Sequence, residues 1–307
     1  KGYIFKSSSD TEVLLASFSE WGTKSIEKFN GMFAFVIYNR KTKEIFGSRD
    51  RFGIKPFYYF INDDRFIFAS EIKAILPLVK KEQNDSIIYD YLLFNRTDHT
   101  NNTFFKNISK MQHGHYFQLK NQKVQFSKWY DLSKRINKEK YICHNEYRKL
   151  FKDSIKLRLR ADVPVGVSLS GGIDSSAITS CLLNDFNLYN LNTFSGVYGK
   201  DELSDESEFI DSYKPLIKNM HFVTPDALMF FNDFNKFINA HNEPVPDTGP
   251  YIQFKVMELA SKYVKVTLDG QGADEQLAGY HNFFSVYFIE LLREFKILKL
   301  ISENFHY

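Results

Sequence analysis

The sequence has only two cysteines, Cys143 and Cys181, and neither stands in a CxxC or any other metal-ligand spacing. That argues against a thiolate metal site or a disulfide framework, and both thiols read as reduced and packed, as in a cytoplasmic protein. No apolar run reaches the roughly 18 to 20 residues of a membrane span, and no apolar h-region stands near the start. Neither a membrane helix nor a signal peptide is expected. An excess of one charge is missing too: 40 Lys and Arg against 37 Asp and Glu leave a formal +3, with the two signs interleaved. No basic face for nucleic acid follows from that balance. Repeats and low-complexity segments are absent. The first residue is Lys1 rather than Met, inside what reads as running structure, so a fragment is expected.

With 307 residues, 43% hydrophobic and 25% charged, the chain suits a globular protein of two domains. Residues 11–22 place Leu14, Phe18 and Trp21 on one helical stripe closed by Gly22. From Met32 the pattern becomes strands: MFAFVIY, EIFGSR, FYYF and RFIFAS, split by short turns such as Asn62-Asp63-Asp64. Helical spacing returns over 70–94, and HYFQLK and VQFSKWY add two strands around Asn121. These elements predict an antiparallel α+β domain over 1–132. The charged stretch 133–144 reads as a linker. Residues 145–307 then alternate β and α: a helix with Tyr147, Phe151, Ile155 and Leu159, then VGVSL, LNTFSGV, HFV and VKVTL with helices between. That order predicts a doubly wound parallel sheet and an α/β class overall. The apolar tail from Phe283 to Ile301 is read as helical.

The chemistry concentrates at Val165–Ser176, VGVSLSGGIDSS, a strand, a tight glycine turn and a helix start that aims free amides at an anion. Glycines permit close backbone approach, and Ser170, Ser175 and Ser176 carry hydroxyls that can donate to phosphate oxygens. The loop contains no Lys, which excludes a Walker A loop, and it is not GxGxxG. Asp174 beside phosphates needs a bridging hard cation, so the loop predicts Mg²⁺-bound nucleotide. A plain capped turn would explain one glycine and one polar residue, not this set. A second glycine loop, DGQGADE, follows VKVTL, and loops after parallel strands can face one crevice. Asp174 and Asp274 are therefore the expected metal ligands. The proline-bearing HNEPVPDTGPY, 241–251, reads either as a pocket-shaping loop or as a surface connection. Asp205 and Glu206 read as a solvated helix start. Arg49–Pro56 reads either as a salt-bridged corner or as a site.

Five ordered motifs, SDTEVLL, FNGMFAF, RDRFGIKPFYY, SGGIDSS and DGQGADEQLAGY, resemble the glutamine-dependent asparagine synthetase family. The resemblance implies an Ntn-like class II glutaminase domain followed by an ATP-pyrophosphatase domain. It implies that glutamine yields ammonia in the first and that aspartate is activated by ATP in the second. It further implies that β-aspartyl-AMP forms with loss of pyrophosphate and that ammonia then displaces AMP. On this sequence, Ser170, Gly171, Gly172, Asp174 and Ser175 would hold pyrophosphate and Mg²⁺, with Asp274 as second acid. Leu169, Asp269 and Gly270 would lie against the nucleotide, and Asp10 would bind the amino group of glutamine. The implied small molecules are aspartate, glutamine and ATP, with neither nucleic acid nor membrane, and a homodimer is left open.

The sequence departs from the family in three places. The family's nucleophile is a cysteine at the first residue of the mature chain, and here Lys1 stands first; the upstream arginine and Asn-Gly-Glu segment are missing as well. Truncation before Lys1 accounts for these. Gln271 stands where some members carry the Glu linked to forming the aspartyl intermediate, and an amide cannot act as a base. The family also continues beyond residue 307 with a catalytic Lys. Besides asparagine formation, two readings stay open: a relative that amidates sugars or closes β-lactam rings, and a non-catalytic nucleotide-binding or scaffold protein.

Overall fold

Alternating apolar residues and short polar turns favour strands over the first third of the chain, and strands form there. The computed structural model describes residues 2–136, 143–198 and 206–306. Two compact units result: Lys1–Lys140 with Asn235–Asp247, and Tyr141–Phe234 with Thr248–Tyr307. Residues 137–142 of the expected linker, and Asp205, lie outside the described residues.

In the first unit, α1 (Asp10–Trp21) starts at Ser9, whose hydroxyl accepts from the Thr11 amide, and stops at Gly22 with φ 55°. The strands are β1 (Ala34–Tyr38), β2 (Ile45–Arg49), β3 (Tyr58–Ile61) and β4 (Phe66–Ala69). The helical stretch expected over 70–94 is divided. It forms α2 (Ile72–Ile75), a 3-10 turn containing Pro77, and α3 (Asp85–Phe94). Proline cannot donate to the preceding turn, which explains the break. After these come β5 (Ile108–Lys110), β6 (His115–Lys120) and β7 (Lys123–Lys128).

The strands form two sheets, ordered β1-β2-β6-β7 and β4-β3-β5, with every pairing antiparallel. Between them Phe57, Met111 and Phe117 are buried against Val36, Ile45, Phe66, Phe68 and Phe126. Ile72 and Ile75 of α2 cover the other face of the three-stranded sheet. Phe18 of α1 packs on Phe46, on the outer face of the larger sheet, with ring centroids 4.7 Å apart. A helix–sheet–sheet–helix layering follows. The segment Asn235–Asp247 belongs here through bonds to residues far away in sequence. Tyr91 donates to the Val245 carbonyl (2.8 Å), Asn95 to that of Pro246 (3.0 Å), and the Phe104 amide to the Glu243 carboxylate (2.8 Å). Burial holds the Glu243 carboxyl above its ordinary range. The first part of the proline-bearing loop is thus a strap fastened to this unit.

The second unit opens with α4 (His144–Arg158), followed by β8 (Val165–Ser168), α5 (Ile173–Asn184), β9 (Asn192–Gly196), α6 (Ser207–Asp211) and β10 (Asn219–Val223). Then come α7 (Ala227–His241), whose residues from Asn235 onward belong to the first unit, α8 (Gly249–Ala260), β11 (Val266–Leu268) and α9 (Ala273–Leu277). The tail is two helices rather than one: α10 (His281–Arg293) and α11 (Ile297–His306), parted where Phe295 has φ 55°. All four strands run parallel in the order β10-β9-β8-β11. Ile155, Val167, Cys181 and Leu182 are buried together on one face with α4 and α5; Phe194, Val256, Ala260 and Val264 fill the other beneath α8. Cys181 is packed as expected, and burial first, then Asp185, pushes its thiol up to about 11. Cys143 is exposed, contrary to expectation, because it lies just before α4, outside either core.

Packing in the first unit depends on one missing side chain. Gly47 pairs with Phe117 across β2 and β6, and a Cβ at 47 would overlap the Phe117 ring. Gly47→Ala should lower stability by about 1 to 3 kcal/mol, the range for overpacking a filled core. A thermal melt of the variant within a degree of the parent would refute this.

Candidate active site

The strand order places the site. β8 is first in chain order and has β9 on one side and β11 on the other, so the sheet reverses direction of growth between β8 and β11. In open parallel sheets, ligands lie beyond the carboxyl ends of the strands at such a point. The loops leaving β8 and β11 are the two glycine loops singled out in sequence.

The first loop is held before any ligand arrives. Leu169 is fully buried; its amide donates to the Phe194 carbonyl (2.9 Å), and its carbonyl accepts from the Ser195 hydroxyl (2.6 Å). Gly171 then takes φ +96°, a conformation that side chains resist. The Ser175 hydroxyl donates to the Gly172 carbonyl (3.1 Å) and lies 3.0 Å from that of Ser170. The Ser176 hydroxyl donates to the Gly171 carbonyl (3.3 Å). Two of the three hydroxyls expected to meet phosphate are therefore spent on the loop. Ser170 is left exposed, accepting from the Gly172 amide (3.3 Å). No side chain caps α5, and the first amides of a helix have no intrahelical acceptor. Their dipole end and Ser170 together form a cradle for an anion. Asp174, half-buried, sits in that first turn.

The second loop touches the first. A Cβ on Gly270 would lie 2.8 Å from Asp174 Cβ and 3.2 Å from the Ser175 amide nitrogen. Only glycine allows that approach. Asp269 is half-buried and its carboxylate accepts from the Gln271 amide (3.4 Å), while the Gln271 side chain is exposed. Gly272 has φ +91°, and α9 begins directly after it. Asp274 is half-buried, its carboxylate set so closely against Gly279 that a Cβ there would overlap it. Tyr280 donates to Glu275 (3.0 Å), and that bond raises its phenol above the ordinary range. Asp174 and Asp274 offer hard oxygen donors, and among the described residues no three acidic, His or Cys side chains form a ready metal cage. Mg²⁺ commonly binds through one or two carboxylates plus substrate phosphates, so these residues fit it.

In the first unit the two motif regions behave differently. Asp10 is exposed in the first turn of α1, and beside it Glu12 accepts from the Lys6 and Ser7 amides, fixing the approach to the helix. Arg49–Pro56 is a structural corner. The buried Asp50 carboxylate accepts four backbone amides, from Phe33, Phe52, Ile54 and Lys55, at 3.0 to 3.2 Å. Arg49 donates to the carbonyls of Gly53, Lys55 and Met111. Burial lowers its guanidinium pKa, yet a guanidinium keeps its charge at neutral pH. Side chain to backbone bonds hold the corner, and among the described residues no salt bridge joins its four charges.

Glu206 is the exposed helix start read from the sequence, directly before α6, but it has a second position that the sequence does not reveal. It lies against Gly171 and Gly172, and no spacing in DELSDESE signals this.

Comparison with known proteins agrees with the two-part organisation. Residues 1–130 match the glutamine amidotransferase domain family, and residues 146–301 match the asparagine synthase family. A Methanocaldococcus jannaschii protein, provisionally named asparagine synthetase (glutamine-hydrolyzing) 2, is 34% identical over 96% of this chain and 58% of its own length. Asparagine synthetase (glutamine-hydrolyzing) 1 of Bacillus subtilis is 33% identical over 92% of this chain and 44% of its own. Amidase chyE of Penicillium rubens is 28% identical over 92% and 44% respectively. The chain spans about half the length of the curated relatives it matches. With its parallel-sheet unit matched over residues 146–301 and a glutamine amidotransferase domain ahead of it, the chain belongs to the asparagine synthase family.

Proposed function

We propose that the whole protein is a glutamine-dependent ligase that uses ATP to turn a carboxylate into an amide, with aspartate as the carboxylate. The contact of Gly270 with Asp174 carries this reading, because it joins an anion cradle to a second strand-end loop at the switch point of the sheet. In the first half-reaction an aspartate β-carboxylate oxygen bonds to the α-phosphorus of ATP, and the bond from that phosphorus to the bridging oxygen breaks. Pyrophosphate leaves with the electron pair. The amides at the start of α5 and the Ser170 hydroxyl hold the departing pyrophosphate, preorganised where charge builds up. Asp174 and Asp274 are the residues that would hold Mg²⁺, which when bound neutralises charge on the phosphates.

Leu169, Asp269 and Gly270 would line the nucleotide side, with Gly171, Gly172, Ser175 and Ser176 shaping the loop. In the second half-reaction ammonia nitrogen bonds to the acyl carbon and AMP leaves. Gln271 can position a group by hydrogen bonding, but its amide accepts no proton, so a different acceptor takes the proton that ammonia gives up. The first unit would supply ammonia from glutamine, with Asp10 holding the substrate's amino group. Amidation of another carboxylate by the same machinery is the second reading, favoured by the amidase named among the relatives.

The test is isotope exchange between pyrophosphate and ATP catalysed by the full-length protein. Exchange should depend on aspartate and fall at least about a hundredfold in Asp174→Asn, the scale for losing a group that neutralises charge in the transition state. Exchange that needs a different carboxylate would select the second reading, and none with any carboxylate would reject both. Gly270→Ala should push the two loops apart and weaken ATP binding by about tenfold or more, since its methyl would stand only 2.8 Å from Asp174 Cβ with backbone behind it, and backbone must move to relieve that. Unchanged ATP affinity in that variant would show that the loops do not share a ligand.

A further inference from the structure

Glu206 is held over the anion cradle by backbone packing on one side and side-chain bonds on the other. A Cβ on Gly171 would lie 2.8 Å from the Glu206 carbonyl oxygen, 2.9 Å from Glu206 Cβ and 3.3 Å from Ile210 Cγ1. The Glu206 carbonyl accepts the Phe209 and Ile210 amides at 3.1 and 3.3 Å, and Ile210 is 1% exposed. Three residues on, Tyr213 donates to the Ser176 carbonyl (3.1 Å) and meets the Ser180 hydroxyl (2.9 Å), tying the segment to α5. Glu206 is thus held near the loop through α6, which Tyr213 ties to α5. Its Oε2 lies 3.7 Å from the point where a Cβ on Gly172 would stand, and Ser170 Oγ lies 3.5 Å from the same point. A carboxylate oxygen and the one exposed hydroxyl of the cradle thus flank a single glycine. The Glu206 side chain is exposed, and among the described residues no cation or donor pairs with its carboxylate.

An acid fixed beside an anion cradle works against the bare anion. We propose that Glu206 is a specificity-determining residue that imposes the metal requirement, repelling free polyphosphate and favouring polyphosphate that arrives with a divalent cation. Asp174, in the first turn of α5, acts in the same sense from within the loop. The inference rests on the nucleotide reading above. It adds a residue outside both glycine motifs and concerns the charge state of the ligand rather than the reaction.

The experiment is calorimetric titration of inorganic pyrophosphate into the full-length protein, once in EDTA and once in excess Mg²⁺, for the parent and for Glu206→Gln. In EDTA the variant should bind pyrophosphate about tenfold tighter, the scale of one partly screened charge. In Mg²⁺ it should bind several-fold weaker, so the ratio of the two affinities collapses. Glu206→Lys should carry the metal-free gain further, and the rank order of the two variants guards against an accident of folding. A ratio in both variants equal to that of the parent overturns the proposal. If Asp174→Asn alone loses the metal dependence, the nucleotide reading stands and the role of Glu206 fails. If the parent binds pyrophosphate under neither condition, the nucleotide reading is lost and this inference with it.

Discussion

The second unit depends on the absence of a side chain at position 270. Gly270 rests on Asp174 and on the Ser175 amide, so the loop after β11 closes against the first turn of α5. The parallel sheet brings the two strands side by side, with Leu268 opposite Val167. A methyl group at 270 would stand 2.8 Å from Asp174 Cβ, with backbone behind it. The glycine thus lets the loops of two adjacent strand ends meet. It also ties the position of Asp174 to that of Asp269 and Asp274, since the same short stretch carries all three relationships.

The first unit uses a buried charge instead. Asp50, 1% exposed, gathers amides from Phe33 and from the turn that follows it, while its own carbonyl accepts from Gly114. A carboxylate taken out of water is tolerable only when donors replace the lost hydration, and here backbone amides do so. Arg49 performs the converse task, donating to carbonyls that the turn would otherwise leave without partners. Arg51 adds a cap, reaching the Glu27 carbonyl and stacking 5.1 Å from the Trp129 ring. The motif RDRFGIKP therefore builds a rigid corner between β2 and β3. Its charges give the impression of a site because charge and corner are made from the same residues.

Local features were legible in the sequence, and non-local ones were not. The glycine loops, the alternating strands and the helix after Asp174 each follow from spacing within about ten residues, and each is present. β5 went unread because three residues show no period. α7 was missed although Asp226 marks its start, accepting the Met229 amide (2.7 Å), and its apolar residues gather on one face; the run of Phe and Asn obscured that period. The strap at Asn235–Asp247 could not be foreseen, since the bonds from Tyr91, Asn95 and Phe104 span more than a hundred residues. The tail reads as one apolar helix, but the positive φ at Phe295 breaks it where no glycine or proline gives warning. At the site, the types of residue were readable, whereas the internal use of the Ser175 and Ser176 hydroxyls required coordinates.

That internal use bears on how the cradle discriminates. With two hydroxyls donated to loop carbonyls, the groups turned outward are backbone amides and Ser170. Amides at a helix start attract any small anion of suitable size and do not recognise its identity. A P-loop adds a lysine, which strengthens the attraction, and this loop has none. Selectivity must then come from what the loop rejects. Acids placed beside free amides oppose a bare anion and favour one that carries a cation, so the charge pattern discriminates by metal content where hydrogen bonds cannot. If the loop takes a polyphosphate as proposed, the misfit of Asp174 in an anion loop and the position of Glu206 over Gly172 have one physical explanation: acids that oppose a bare anion until a divalent cation makes up the charge.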